Sequence, residues 1–308
     1  MMSRPDPTFS EAQGEMGARV VLVPLDGSSH ADGVLAQAKP LMERADLELV
    51  LFTAVDPIPN RYSLRPLRSE DAVRVSHHVA QARAHLDELS SVMRAEGRAV
   101  RTEVRVGVGA DAILSMVDAI APDLVVMRSR VGRGAAWRFG SVSRRVLRHC
   151  PVPLLLLAPE TPPSEISNIL IPLDGSERSE RVLPHAIELA SAFDAAITLC
   201  RFAATAEEFI DAPEPGLATP ERLRATLSKA REVIEDRGLR ARVRVGVGDP
   251  ATRIVEIAEE EGVDLIAMAT HGRSGWSRWL FGSVADHVFS VCERPLLVVR
   301  GAAPAEQT

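Results

Sequence analysis

The chain has 308 residues, enough for about two domains of ordinary size, and its 46% hydrophobic and 25% charged residues lie in the range of globular proteins. A formal net charge of −6 and only 4% aromatic residues exclude a broad surface for nucleic acid or anionic membrane and leave few platforms for stacking unpaired bases. Three cysteines, Cys150, Cys200 and Cys292, form no C-x-x-C pair, which argues against a zinc site or disulfide framework and for a reducing, cytoplasmic setting. Residues 1–17 carry no apolar stretch of signal-peptide length and are expected to be a flexible N-terminus. The strongest apolar run, Val152 to Ala158, is far shorter than the about 20 residues a bilayer requires, so no membrane partner is expected.

From residue 18 onward, short apolar runs alternate with helical periodicity. Val20–Leu25, Leu47–Phe52, Leu124–Met127 and Leu154–Leu157 read as strands buried on both faces, with a further strand before Gly107. Between them, Ala72, Val75, Val79, Ala82, Leu86, Leu89 and Met93 fall on one face of a helix that Gly97 stops. After a proline-rich join at 159–166, the pattern starts again. Ile169–Leu173, Ile197–Cys200, Leu265–Met268 and Leu296–Val299 are the strand counterparts. Thr219-Pro220 fits a helix start whose buried stripe is Leu223, Leu227, Ala230 and Ile234, and Asp249-Pro250 starts another that Gly262 ends.

The repetition is explicit in three segments kept in order. VVLVPLDGS (20–28) matches NILIPLDGS (168–176), VRVGVGAD (104–111) matches VRVGVGDP (243–250), and GSVSRRVLRHCPVPLLLL (140–157) matches GSVADHVFSVCERPLLVV (282–299). One fold copied twice is implied, with domains at 18–158 and 167–301 and a flexible tail at 302–308. Alternating strands and helices predict α/β domains, each with a parallel sheet covered by helices on both faces and a ligand crevice at the carboxyl ends of the strands.

Three segments are candidates for chemistry. The loop from Ala269 through Gly272 to Gly282-Ser283-Val284 follows a strand and opens a helix, where glycines and unpaired N–H groups suit phosphate. The same loop also fits a plain connection with Ser283 as N-cap. PLDGS places Asp26 and Asp174 at the mouth of each crevice, able to accept from ribose hydroxyls or to form an Asp-Gly turn before a helix. The third, Gly107-Val-Gly109 with its partner Gly246-Val-Gly248, imitates a dinucleotide fingerprint but comes late in each copy, so it reads as a tight turn. There is no G-x-x-x-x-G-K-[ST], no G-x-S-x-G and no H-E-x-x-H, and no metal ligand set is expected; His77, His78 and His85 read as helix-face residues.

These motifs resemble the universal stress protein family in its tandem two-domain form, across about residues 18–158 and 167–300. The family's ATP-binding members carry G-x2-G-x9-G-[ST] after the fourth strand, and the second copy reads Ala269-x2-Gly272-x9-Gly282-Ser283. The resemblance implies two repeated, open, parallel five-stranded sheets of Rossmann-like α/β type. It implies ATP or another adenine nucleotide, with Mg2+ accompanying it. Pro172 and Asp174 would lie near adenine and ribose, Phe202, just after its strand, and Met268 would line the adenine pocket, and Ala269, Gly272, Gly282, Ser283 and Val284 would hold ribose and phosphates. The final strands of such domains usually pair, here within one chain, and a homodimer through other faces is also implied.

The first copy keeps Asp26, Gly140 and Ser141 as the elements of a weaker site. It replaces Ala269 with Arg128 and Gly272 with Val131, in a loop one residue shorter. The expected function is an adenine-nucleotide-binding regulatory stress-response module with at most feeble hydrolysis, since no catalytic base or P-loop lysine is in view. Two other readings stand beside it: a nucleotide-free partner-binding protein, and a slow ATPase or adenylating enzyme, for which PLDGS lacks the paired glycines of an SGGxDS loop.

Overall fold

The computed structural model describes residues 19–44, 47–57, 69–128, 140–157, 166–205, 207, 217–270, 281–292 and 294–300. The first half runs β1 (Arg19–Pro24), α1 (Ser29–Arg44), β2 (Leu47–Val55), α2 (Ser69–Ala95), β3 (Ala99–Val106), α3 (Gly109–Ile120), β4 (Leu124–Arg128), α4 (Ser141–His149) and β5 (Leu154–Leu157). The second runs β6 (Asn168–Pro172), α5 (Glu177–Glu180), α6 (Leu183–Phe193), β7 (Ala196–Ala203), α7 (Pro220–Ala225), α8 (Ser228–Glu235), β8 (Ala241–Val247), α9 (Pro250–Glu260), β9 (Leu265–Ala269), α10 (Ser283–Val291) and β10 (Leu296–Val299).

Each half is a parallel five-stranded sheet, and the two fuse into one ten-stranded sheet of order β3-β2-β1-β4-β5-β10-β9-β6-β7-β8. The central pair is the antiparallel exception, with Leu155 opposite Leu297. All four residues of both β5 and β10 are buried, so their pairing covers two apolar edges at once. The outer strands, β3 and β8, carry Arg101, Glu103 and Arg105, and Arg242 and Arg244, whose charges discourage further edge pairing.

Strand alternation sorts side chains to two cores. Val21, Val23, Ile169 and Ile171 pack with α1, α2, α6 and α8. Leu22, Leu170, Ile266 and Met268 pack with α3, α4, α9 and α10. The same carboxylate ties each half at the amino ends of its strands: Asp123 Oδ2 accepts from the Val20 N–H at 2.8 Å, and Asp264 Oδ2 from the Ser167 and Asn168 N–H groups at 2.8 and 3.0 Å. That anchor leaves the carboxyl ends of β6 and β9 to diverge around a crevice.

Two expectations need correction. The stripe Leu223, Leu227, Ala230, Ile234 is buried, but the helix under it breaks between α7 and α8. There the Thr226 and Ser228 hydroxyls donate to the Leu223 and Ala225 carbonyls at 2.7 and 2.9 Å, side-chain bonds that compete with helix propagation. The VRVGVG match is also out of structural register by two residues. Gly107 N–H donates to the Val55 carbonyl and Gly248 N–H to the equivalent Ala203 carbonyl, both at 2.9 Å, so Gly107 corresponds to Gly248 rather than Gly246. The buried sets of the following helices agree, Ala110, Ile113, Met116 and Val117 against Ala251, Ile254, Ile257 and Ala258.

Candidate functional site

Strands β6, β7 and β9 end around a cavity of about 200 Å³, at the point where the strand order reverses on either side of β6. Pro172 and Asp174 form one wall, Phe202 and Ile254 another, Met268, Ala269 and Thr270 a third, and Gly282, Ser283 and Val284 close it. Every residue carried over for the second-domain site therefore lines one cavity, except Gly272, which lies outside the described residues.

The Asp174 wall is made by local turn chemistry. Asp174 Oδ1 accepts from the Ser176 N–H at 3.0 Å and the Ser176 hydroxyl at 2.6 Å. Gly175 then takes a φ of +80°, which favours glycine, and Ser176 caps α5 by accepting from the Ser179 N–H at 3.2 Å.

Phe202 lies within β7 rather than just after it and is 8% exposed. It pairs with Gly246 across the sheet, and a β-carbon on Gly246 would stand 3.4 Å from the ring. Arg253 of α9 covers the ring with its guanidinium carbon 5.5 Å from the centroid and is itself ion-paired to Glu256. Gly248 follows at a φ of +146° and Asp249 caps α9 by accepting from the Thr252 N–H at 2.8 Å. The glycines of G-V-G thus make room for an aromatic ring and turn a strand into a helix. The hydrogen bonds from Thr252 hold the Asp249 carboxyl below its usual pKa.

The closing wall is the start of α10. Its N-cap is Gly282, with no side-chain cap hydrogen bond, so Ser283 is the first helical residue and not the expected cap. Gly282 N–H donates to the Thr270 carbonyl at 3.0 Å and draws the helix start up to the end of β9. The N–H groups of this first turn, uncapped by Gly282, border the cavity at the positive end of the helix dipole, a setting that favours anionic oxygens.

Arg201, Cys200, Thr270 and Ser179, which none of the sequence motifs singles out, also line the cavity. Arg201 had a visible signal, as the one charge inside the apolar run of β7. Burial pushes the Cys200 thiol well above its usual pKa, and Cys150, also buried, is raised to about 11.

The first-domain candidates are not gathered in the same way. Asp26 is exposed, with Oδ1 accepting from the Ser28 N–H at 3.0 Å. Gly140 caps α4, and Ser141 lines a surface groove with Arg144, Arg145, Arg148 and His149, among whose described residues Asp26 does not figure. Met127 faces α3 and α4, so Arg128 points the opposite way, where its Nη1 would lie 2.8 Å from a β-carbon on Gly33 of α1. Val131 and the rest of that loop lie outside the described residues. No cluster of three metal-ligating side chains, and no helix long and apolar enough to cross a membrane, exists among the described residues. His77 and His78 are exposed and His85 half-buried.

Fold and crevice together define a doubled, open α/β protein of the kind that binds ligands at a topological switch point. The sequence model of the universal stress protein family matches residues 17–158 and again 165–300, and the chain belongs to that family as a tandem member. It is 29% identical over 302 residues to a universal stress protein of Mycobacterium tuberculosis (strain H37Rv), covering 91% of this chain and 96% of that one. Over 138 residues it is 35% identical to a universal stress protein of Methanocaldococcus jannaschii, 43% of this chain and 81% of the relative. A solved universal stress protein from Archaeoglobus fulgidus shares the fold with a TM-score of 0.74 at 18% identity, covering 93% of this chain and all of that one.

Proposed function

We propose that the protein is a cytoplasmic stress-response module that binds an adenine nucleotide, ATP in the first instance, in its second domain. The observation that carries this reading is the cavity at the carboxyl ends of β6, β7 and β9, which combines the three surfaces a nucleotide needs. Phe202, Ile254 and Met268 offer an apolar slot for a base, Asp174 a carboxylate for ribose hydroxyls, and the first turn of α10 a dipole end for phosphates. A Mg2+ ion would accompany the phosphates rather than occupy a protein cage. Gly272 belongs to the phosphate loop in this reading, and residues 132–134 and Gly140 to its altered counterpart.

Hydrolysis is expected to be feeble, because phosphoryl transfer needs a placed nucleophile as well as charge stabilisation. The first domain is expected to bind weakly or not at all. At the Gly272 position it carries Val131, whose branched side chain tolerates positive φ poorly and blocks close approach of a phosphate. The role is that of a bound-nucleotide sensor, and homodimers would form through faces other than the β5–β10 joint.

The test is calorimetric titration of ATP together with mass spectrometry of ligand released from the purified protein. About one strong site per chain is expected, abolished by Gly272→Val and untouched by Val131→Gly. Unchanged ATP affinity in Gly272→Val overturns the second-domain assignment. Release of no nucleotide and no titration signal favour a nucleotide-free partner-binding role. A turnover faster than about 1 s⁻¹ overturns the regulatory reading in favour of an enzyme.

A further inference from the structure

The second-domain cavity is lined by a cation that no phosphate motif accounts for. Arg201 sits on β7, between β6 and the outer strand β8, on a strand whose eight residues are all buried, and is itself 3% exposed. Burying a guanidinium is costly unless it finds partners, so the place of Arg201 is tightly specified by its surroundings. From β7 it reaches the turn after β6: a β-carbon on Gly175 would lie 2.4 Å from Arg201 Nη1 and 3.2 Å from Cζ. The guanidinium therefore approaches the backbone of the turn that presents Asp174 with its Nη1 end, and both Asp174 and Arg201 line the cavity.

The first domain supplies the control. There β1 pairs with β2 through Pro24 and Phe52, as β6 pairs with β7 through Pro172 and Cys200, so Thr53 holds the place of Arg201. Gly27 has nearly the same backbone as Gly175, with φ of +74° against +80°, yet a β-carbon on Gly27 would meet nothing within 4 Å among the described residues. At Gly27 glycine answers only to the backbone angle. At Gly175 it answers to the angle and to the arginine beneath. Asp26, with no such support, is exposed, whereas Asp174 is half-buried at the cavity wall.

We propose that Arg201 is a positioning residue for the ligand of the second domain, the floor that fixes the Asp174–Gly175 turn so that the carboxylate meets the ribose end of the ligand. This inference rests on the nucleotide reading of the cavity. Arg201 acts on the base-and-ribose end, while the phosphates are held by the α10 terminus. Its loss is thus felt by any ligand carrying a ribose and not by a bare polyphosphate.

The experiment is titration of the full chain with ATP, adenosine and inorganic tripolyphosphate, comparing the parent with Arg201→Met, Arg201→Lys and Gly175→Ala. Arg201→Met is expected to weaken ATP and adenosine each by about tenfold and to leave tripolyphosphate unchanged. Arg201→Lys should fall between, since an ammonium keeps the charge but not the flat face. Gly175→Ala, which pushes the guanidinium away, should weaken adenosine in the Arg201 background. The added loss should be smaller once Arg201 is Met. Adenosine affinity unchanged in Arg201→Met overturns the proposal. So does an equal loss of tripolyphosphate, which would mark a general collapse of the cavity. A parent chain that binds none of the three probes overturns the nucleotide reading and the ligand role of Arg201 together, whereas a parent that binds while Arg201→Met matches it overturns the inference alone.

Discussion

The two halves share strand order, helix placement and even the carboxylate that ties β4 to β1 and β9 to β6, yet the carboxyl ends of their strands are built differently. In the second half one arginine lies under the turn after the first strand and the aromatic Phe202 lines the slot beside it. In the first half those two places hold Thr53 and Ala54, and the arginine comes instead from β4, as Arg128, and packs toward α1. Duplicated sheets keep what the core needs, because the inner strands are packed on both faces. Their strand ends drift, because a loop or terminal residue can change without disturbing that packing.

The largest expected effect removes the common frame on which this comparison stands. Leu297 is 3% exposed in the central strand pair, opposite Leu155, so Leu297→Asp buries a carboxylate in the core shared by both halves. A loss of about 4 kcal/mol or more in urea denaturation is expected, with both halves destabilised together. A loss confined to one half, read by hydrogen exchange, would show that the halves are energetically independent.

The helix starts offer a sharper contrast. Val108 and Asp249 are the N-caps of α3 and α9, but only Asp249 makes a side-chain cap, accepting from the Thr252 N–H at 2.8 Å. Asp249→Ala should cost about 1 kcal/mol, and Val108→Asp should stabilise by a similar or smaller amount, both read from denaturant midpoints. Because the folded Asp249 carboxyl is held below its ordinary pKa of 3.8, the cap is fully present above that value. It is lost as pH falls further.

The smallest expected effect lies on the joint. His185 of α6 has its pKa lowered from 6.5 by burial and then by Arg19 of β1, which crosses from the other half and pairs with Glu188. Protonation is disfavoured in the folded chain, so stability is complete above about pH 6.5 and declines as pH falls from there toward the lower folded value. Melting temperature measured between pH 7.5 and 5.5 should show this slope, and His185→Gln should flatten it. An unchanged slope in that variant would assign the acid sensitivity to other groups.

Much of this architecture was legible in the sequence, since strands buried on both faces are continuous runs of Val, Ile and Leu, and the PLDGS and GSV segments mark the strand and helix ends that meet at the crevice. Two things were hidden for physical reasons. A slip of two residues preserves the in-and-out alternation of a strand, so VRVGVG matched its partner in the wrong register, and only the helix caps and the hydrogen bonds of Gly107 and Gly248 fix it. The partnership of Arg201 with Gly175 was hidden because it joins two strands through the fold, and neither residue alone announces the other.

The antiparallel meeting of β5 and β10 has a geometric consequence. Every strand of the first half runs one way and every strand of the second the other, so the two crevices open on opposite rims of the sheet. No small ligand can touch both, and a macromolecule docked over the second-domain cavity leaves the far rim, where α4 begins at Ser141, uncovered. The two rims therefore face opposite surroundings, and each can diverge without altering the other.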